Sequence, residues 1–438
     1  MSPKSDWHGR VWRLAIPNIL ANLTIPLLGA VDTAVIGRLG AAEIGAVAVG
    51  ATVFSFLYWS FSFLRMGTAG LAAQAYGAGE RAELFASFGR GAVLGGIFGV
   101  ALIALQIPII EAALSLIAAS DTVTPIAREY LLIRIWAAPA ALINMAILGW
   151  LIGRQRMVTA LYLQLLINGA NIVLDLAFAV GLEMAVPGVA LATVLAQTLG
   201  LIAGLWVMAR EARRAGASWP WREIVDRHRM MAIMHLNLDI MVRTLCLITV
   251  VSMFTALGAR FGDLVLAANG ILLLFQAFMS YGLDGFAHAA EALVGEAVGR
   301  RDAAALAAVV KASTLWAGLL AIAYAAVYWA VGPHLIALIT TVGDVRVMTA
   351  EFLPWVIAAP LISIWSYQLD GIFIGATRGR AMRNAMVISF LFYLTALAIL
   401  VPLWGNHGLW LAFTLFMVVR AATLAAHYPS LVRSVRAR

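Results

Sequence analysis

The sequence predicts an all-α polytopic membrane protein, with twelve transmembrane helices in two six-helix lobes related by a pseudo-twofold along the membrane normal. Three features carry that expectation. Of 438 residues, 63% are hydrophobic and 12% charged. A soluble chain is about half apolar and about a quarter charged, so this one has too little polar surface to wet a folded monomer. Apolar runs such as 157–182 recur along the chain, and a bilayer needs roughly 20 apolar residues per helix. The second half of the chain also repeats the first.

The helices follow in order. The first, 14–37, leaves a tail carrying Lys4, Arg10 and Arg13 and contains Pro17 and Pro26. The second, 44–76, runs to a connection with Arg81 and Arg90, after which the third, 91–112, begins. The fourth, 125–152, stops before Arg154 and Arg156, and the fifth, 157–182, starts directly after them. The sixth, 187–209, ends at a basic linker, 210–230, that holds Arg210, Arg213, Arg214, Arg222, Arg227 and Arg229. The pattern continues with 231–258, with 264–298 before Arg300 and Arg301, and with 312–333 after Lys311. It closes with 347–375 before Arg378, Arg380 and Arg383, then 384–404 and 408–430, and a tail with Arg433, Arg436 and Arg438. The expected domains are 1–209, the linker 210–230, and 231–438.

On this layout 22 of the 30 basic residues fall on one side, and the other side has only Arg38, Arg128, Arg260 and Arg346. The positive-inside rule makes the basic side, with both termini, cytoplasmic. The net charge of +8 is then an orientation signal and not a nucleic-acid surface. The single Cys246 excludes an internal disulfide. The first apolar segment is too long, and too rich in proline, for a cleavable signal peptide. No GxxxxGK[ST] loop exists and the only lysines are Lys4 and Lys311, so nucleotide-driven transport by that motif is excluded. Energy is expected from an H+ gradient, with Na+ as the alternative, and no cofactor is expected. The seven histidines (8, 228, 235, 288, 334, 407 and 427) show no ligand spacing, so neither a metal nor an enzyme is expected. Expected partners are small organic substrates, H+ or Na+ and the bilayer, around a monomer.

Shifted by 222 residues, 14–84 aligns with 236–306 without a gap, and 13 of 71 positions match, among them Arg38/Arg260, Gly40/Gly262 and Gly77/Gly299. The same offset pairs Gly149, Ile152, Gly153 and Arg156 with Gly371, Ile374, Gly375 and Arg378. Six helices per repeat make the halves parallel, as in transporters that hold substrate between two halves and alternate its access.

An acid at the bilayer centre costs about 2.5–3.5 kcal/mol on insertion scales, so each one needs a reason. Six lie inside the expected helices: Asp32, Asp175, Asp239, Asp284, Glu291 and Asp370. Asp32 and Asp175 lie about five and about seven residues from the outer ends of two outward-running helices, roughly 8–10 Å below the outer boundary at about 1.5 Å per residue. One pocket can hold both. Gln164, Asn168, Asn171 and Asp175 form a single polar stripe, and Tyr130 and Thr193 reach similar depth on inward-running helices. Pro26 lets the first helix bend just below Asp32. Two carboxylates in a dry pocket disfavour each other's ionised form, which suits a site that loads and releases protons. Charge compensation of a cationic substrate, a Na+ site with Asn171 and Thr193 oxygens, and a polar cluster that merely joins helices stay open.

The second group is in the C-terminal half. Asp239 and Arg243 are spaced i, i+4 and close enough to pair; with Asp284, Glu291 and Asp370 they form a charge network at the inner depth. It suits an ion-pair network that closes the cytoplasmic face or fixes packing, or an ion site. At the repeat offset Asp32 faces Phe254, Asp175 faces Leu397, Asp239 faces Pro17 and Asp284 faces Ser62, so neither cluster is duplicated.

The stretches VDTAVIG at 31–37, LRMGTAGLAAQAYG at 64–77, RTLCL at 243–247, SYGLDGFAHAAEALVG at 280–295, LDGIFIGATR at 369–378 and MRNAM at 382–386 resemble the DinF-like branch of the MATE (multidrug and toxic compound extrusion) transporters. The resemblance covers nearly the whole chain. It implies a bacterial inner-membrane antiporter that expels organic, often cationic and lipophilic compounds in exchange for H+ or Na+. By position, the family's first-helix and fifth-helix aspartates match Asp32 and Asp175, its asparagine one turn earlier matches Asn171, and its pocket tyrosine and threonine match Tyr130 and Thr193. Leu28 stands where some members have a tyrosine, and His288 where others have an aromatic residue. Lipid-linked oligosaccharide flippases of the same superfamily would have an arginine-lined cavity and often extra helices; the cavity candidates here are acidic.

Overall fold

In lipid an unbroken apolar run can satisfy its own backbone only as a helix, and helix is the regular structure found throughout. The computed structural model describes residues 6–37, 40–216 and 219–436, those at 25–36 by their backbone only. The helices are α1 (Trp7–Ile36), α2 (Ala41–Ser60), α3 (Phe63–Ala78), α4 (Arg81–Ala104), α5 (Gln106–Ile117), α6 (Val123–Arg134), α7 (Ala138–Gly153), α8 (Met157–Asp175) and α9 (Ala185–Arg214). After the short α10 (Trp221–Ile224) come α11 (Arg227–Ala259), α12 (Asp263–Gly299), α13 (Ala303–Ile339), α14 (Gly343–Gly375) and α15 (Gly379–Arg436). Ten stretches among the described residues are long and apolar enough to cross a membrane. Gly405, in the left-handed region at φ 56°, breaks α15 into two helices, and α1 supplies the remaining crossing of the twelve expected.

The sequence repeat is also a structural repeat. At the same 222-residue offset, α4 and α5 (81–117) correspond to α13 (303–339), and α9 (185–214) to the second arm of α15 (407–436). Helix ends repeat as well. Gly79 (φ 74°) and Arg301 (φ 58°) both turn left-handed, as do Gln155 (φ 63°) and Thr377 (φ 53°). The bond from Arg156 N to Leu151 O (2.7 Å) recurs from Arg378 N to Phe373 O (2.9 Å). Close approaches repeat too: a Cβ at Gly149 or Gly153 would collide with the carbonyl of Arg65 or Ala69 on α3, and one at Gly371 or Gly375 with the carbonyl of Ala287 or Glu291 on α12. Each partner pair is again 222 residues apart.

The two halves differ in continuity. The expected spans 44–76, 91–112 and 125–152 are each broken: at Phe61–Ser62 between α2 and α3, at Leu105 between α4 and α5, and by a 3₁₀ turn, Ile135–Ala137, between α6 and α7. After α8 the backbone widens into a π-helical segment, Leu176–Gly181. Their counterparts α12, α13 and α14 run unbroken for 37, 37 and 33 residues. Proline alone does not decide this, because α14 carries Pro354 and Pro360 without interruption.

Two compact units result, Met1–Ile19 with His235–Arg438, and Leu20–Met234. The sequence reading assigns all of α1 to the N-terminal lobe; here its residues to Ile19 pack with the C-terminal half. Trp12 meets Phe286 of α12 edge-on, with ring centroids 5.2 Å apart. Arg10 pairs with the buried Glu296, and Asn18 hydrogen-bonds His288. In the other unit the linker is docked on α4. Trp219 packs edge-on against Phe88. Arg90, buried in α4, grips Glu83 through two bonds of 2.8 and 2.7 Å and donates to the Glu223 carbonyl (3.1 Å).

Candidate functional site

In the unit formed by 20–234, α8 positions the polar stripe. Four residues at i, i+4, i+7 and i+11 share one side of a helix, and Asn168, Asn171 and Asp175 are all buried, Asp175 fully. The stripe is a hydrogen-bonded chain. Gln164 Nε2 donates to Asn168 Oδ1 (2.9 Å), and Asn168 Nδ2 donates to Thr24 Oγ1 on α1 (2.7 Å), whose hydroxyl donates to the Ala21 carbonyl (2.7 Å). Asn171 has no hydrogen-bond partner for its amide nitrogen among the described residues. Asp175 is the last residue of α8 before the π-helical segment. Such widened turns loosen the regular ladder and are frequent at functional sites. The backbone of Asp32 and Pro26 lies in α1, but their side chains are outside the described residues, so the expected pairing of Asp32 with Asp175 is outside them too.

Tyr130 and Thr193 come from α6 and α9, which pack on each other. Tyr130 is buried, with its ring covering Gly50 of α2, where a Cβ would strike it. Its hydroxyl accepts from Arg134, whose guanidinium also lies over the Phe54 ring, 4.8 Å from the centroid. Thr193 donates back to Val189 O (3.2 Å), within its own helix.

The C-terminal charge network is wired differently from the i, i+4 expectation. Asp239 pairs with Arg383 (2.6 Å), not with Arg243. Arg243 instead reaches Asp370 on α14, and Arg420 on α15 binds the same carboxylate oxygen. Helical spacing brings Asp239 and Arg243 to one face, but a buried guanidinium follows the carboxylate that the neighbouring helix delivers. Asp370, Arg243 and Arg420 are all buried, and Asp284 is close enough to act on Arg243 electrostatically. Glu291 is fully buried on α12. One carboxylate oxygen thus holds two buried guanidiniums from different helices, the partner that a buried ion needs.

Arg134, Arg420 and Thr24 were not singled out from sequence. The two arginines could have been. They are among the four basic residues, with Arg65 and Arg243, that neither face of the membrane claims. Thr24 had no such signal, since a threonine in a helix more often bonds its own backbone.

Comparison with known proteins fixes the family. The MatE family profile matches residues 17–177 and 240–399, one block in each repeat. The chain is 42% identical over 418 residues to the DNA damage-inducible protein F of Escherichia coli (strain K12), covering 95% of this chain and 91% of that one. It is 27% identical over 453 residues to the "Probable multidrug resistance protein NorM" of Rhizobium meliloti (strain 1021), covering 97% and 93%. Among solved structures, a MOP superfamily transporter from Pyrococcus furiosus superposes with a TM-score of 0.88 at 19% identity, covering 99% of this chain and 97% of that one. Repeated halves, twelve crossings and these relatives agree: the chain belongs to the MatE family of multidrug and toxic compound extrusion proteins, in the branch of DNA damage-inducible protein F, and is a multi-pass membrane transporter rather than an enzyme.

Proposed function

We propose that the chain is a secondary antiporter that exports organic, cationic lipophilic compounds in exchange for H+ by alternating access. In this reading it lies in the bacterial inner membrane with both termini cytoplasmic, and protonation of Asp32 and Asp175 drives the cycle. The observation that carries the proposal is Asp175: a fully buried acid at the end of a polar chain, where α8 gives way to a π-helical segment. The broken helices of its half supply backbone that can rearrange, as the discontinuous helices of transporters do. In the other half Asp370 is already engaged by two guanidiniums, Arg243 and Arg420. Substrate enters an inward-facing cavity; protonation of the Asp32/Asp175 pocket from outside then weakens its retention and favours bending of α1 at Pro26.

In proteoliposomes, Asp32→Asn and Asp175→Asn should each abolish substrate-driven proton flux while expression is preserved. Undiminished flux in both variants would sink the proposal. Imposing pH and Na+ gradients separately, with a panel of fluorescent cations as substrate, decides the coupling ion: efflux driven by Na+ alone assigns the site to Na+.

A further inference from the structure

The C-terminal end of α9 carries an imbalance of charge. The buried carboxylate of Glu211 meets three guanidiniums: Arg154, which follows α7; Arg156, which precedes α8, at 3.5 Å; and Arg214, at 3.9 Å. Burial and the neighbouring Arg156 push the Arg154 guanidinium below its ordinary value, against an opposing pull from Tyr76. Two further arginines add to the surplus. Arg210 lies over the Trp206 ring, 5.3 Å from its centroid, and Arg213 donates to the Ala209 carbonyl (3.4 Å). Neither meets a carboxylate among the described residues.

The same helix leads up to this cluster along one exposed face. Leu195, Leu199, Ile202 and Trp206 are between 40% and 62% exposed, at spacings of four, three and four residues, and Arg210 and Arg213 continue the row. The face therefore passes from aliphatic surface to tryptophan to arginine. A bilayer presents the same order, from acyl chains through the interface to the phosphates.

We infer that this face of α9 binds an anionic phospholipid, with the phosphate between Arg210 and Arg213 and the acyl chains along Leu195, Leu199 and Ile202. Trp206 holds the Arg210 guanidinium in place before the lipid arrives, which reduces the ordering cost of binding. Arg156 and Arg214, less than fully compensated by Glu211, set a local field that a zwitterionic headgroup satisfies less well. Inorganic phosphate would find the arginines but gain nothing from the aliphatic row.

The full-length protein in detergent is titrated in parallel with dioleoyl-phosphatidylglycerol, dioleoyl-phosphatidylcholine and inorganic phosphate, and bound ligand is counted by native mass spectrometry. Phosphatidylglycerol should bind preferentially. R210Q/R213Q should weaken it about 30-fold, from the usual worth of two basic residues near an anionic surface. R210K/R213K should keep it within a few-fold. R433Q/R436Q, which removes the same charge from the exposed C-terminal end of α15, should leave it unchanged. The inference is overturned if R210Q/R213Q binds like the parent or if R433Q/R436Q loses as much. It is equally overturned if phosphatidylcholine binds as tightly, or if inorganic phosphate competes at comparable concentration.

Discussion

Asp370 shows how much one buried atom can organise. Its Oδ2 holds Arg243 from α11 and Arg420 from α15, so removing the charge takes from two buried guanidiniums the carboxylate they share. Asp370→Asn should destabilise the protein by about 3–5 kcal/mol, the usual cost of breaking a buried pair from one side. D370N/R420M should recover part of that loss, and thermal unfolding in detergent measures both. Asn168 is a smaller case. Asn168→Val cuts the chain from Gln164 to Thr24 and should cost about 1 kcal/mol, since interhelical bonds in membranes are modest. At this scale the sequence identified the acids from their expense but not their partners. Asp239 and Arg243 are neighbours on a helix, yet each bonds a residue more than 120 positions away, Arg383 and Asp370 respectively. Local spacing limits which groups can meet, and the longer side chain goes where the packing delivers an opposite charge.

At the scale of helices, the repeat explains where close packing is obligatory. Gly371 lies on the backbone of Ala287, and Gly149 makes the equivalent approach to Arg65. A Cβ in either place meets backbone, which cannot swing aside. Gly371→Ala should therefore lower the unfolding temperature in detergent, with a loss of about 1–3 kcal/mol from overpacking. Gly318→Ala, on α13 where nothing lies within 4 Å, should instead raise stability by up to about 1 kcal/mol. Opposite signs for two Gly→Ala changes in neighbouring helices separate packing from propensity. The broken helices of the first half were not legible. Both repeats contain proline in these spans, and only the first half breaks; the choice between a kink and a continuous helix rests on what packs around it.

Over the whole molecule, the distribution of arginine predicts a sidedness that labelling can check. In a Cys246→Ser background, Asp121→Cys should react with a membrane-impermeant thiol reagent from the outside of intact cells. Arg433→Cys should react only after permeabilisation; the reverse pattern would invert the topology. Composition, charge distribution and the 222-residue repeat by themselves determined the class and the number of crossings, because the hydrophobic thickness of a bilayer and the cost of burying charge act on each segment separately; the family resemblance rested on particular stretches such as 64–77 and 280–295. They also picked out Asp175 and its stripe, since helical periodicity is local. Only the tertiary structure decided that the first turns of α1, to Ile19, belong with the C-terminal half. It alone decided that the two halves differ in helix continuity, and that Asp370 is the carboxylate shared by Arg243 and Arg420. These features arise from contacts between helices distant in sequence, where shape and opposite charge select among partners that local pattern leaves equivalent.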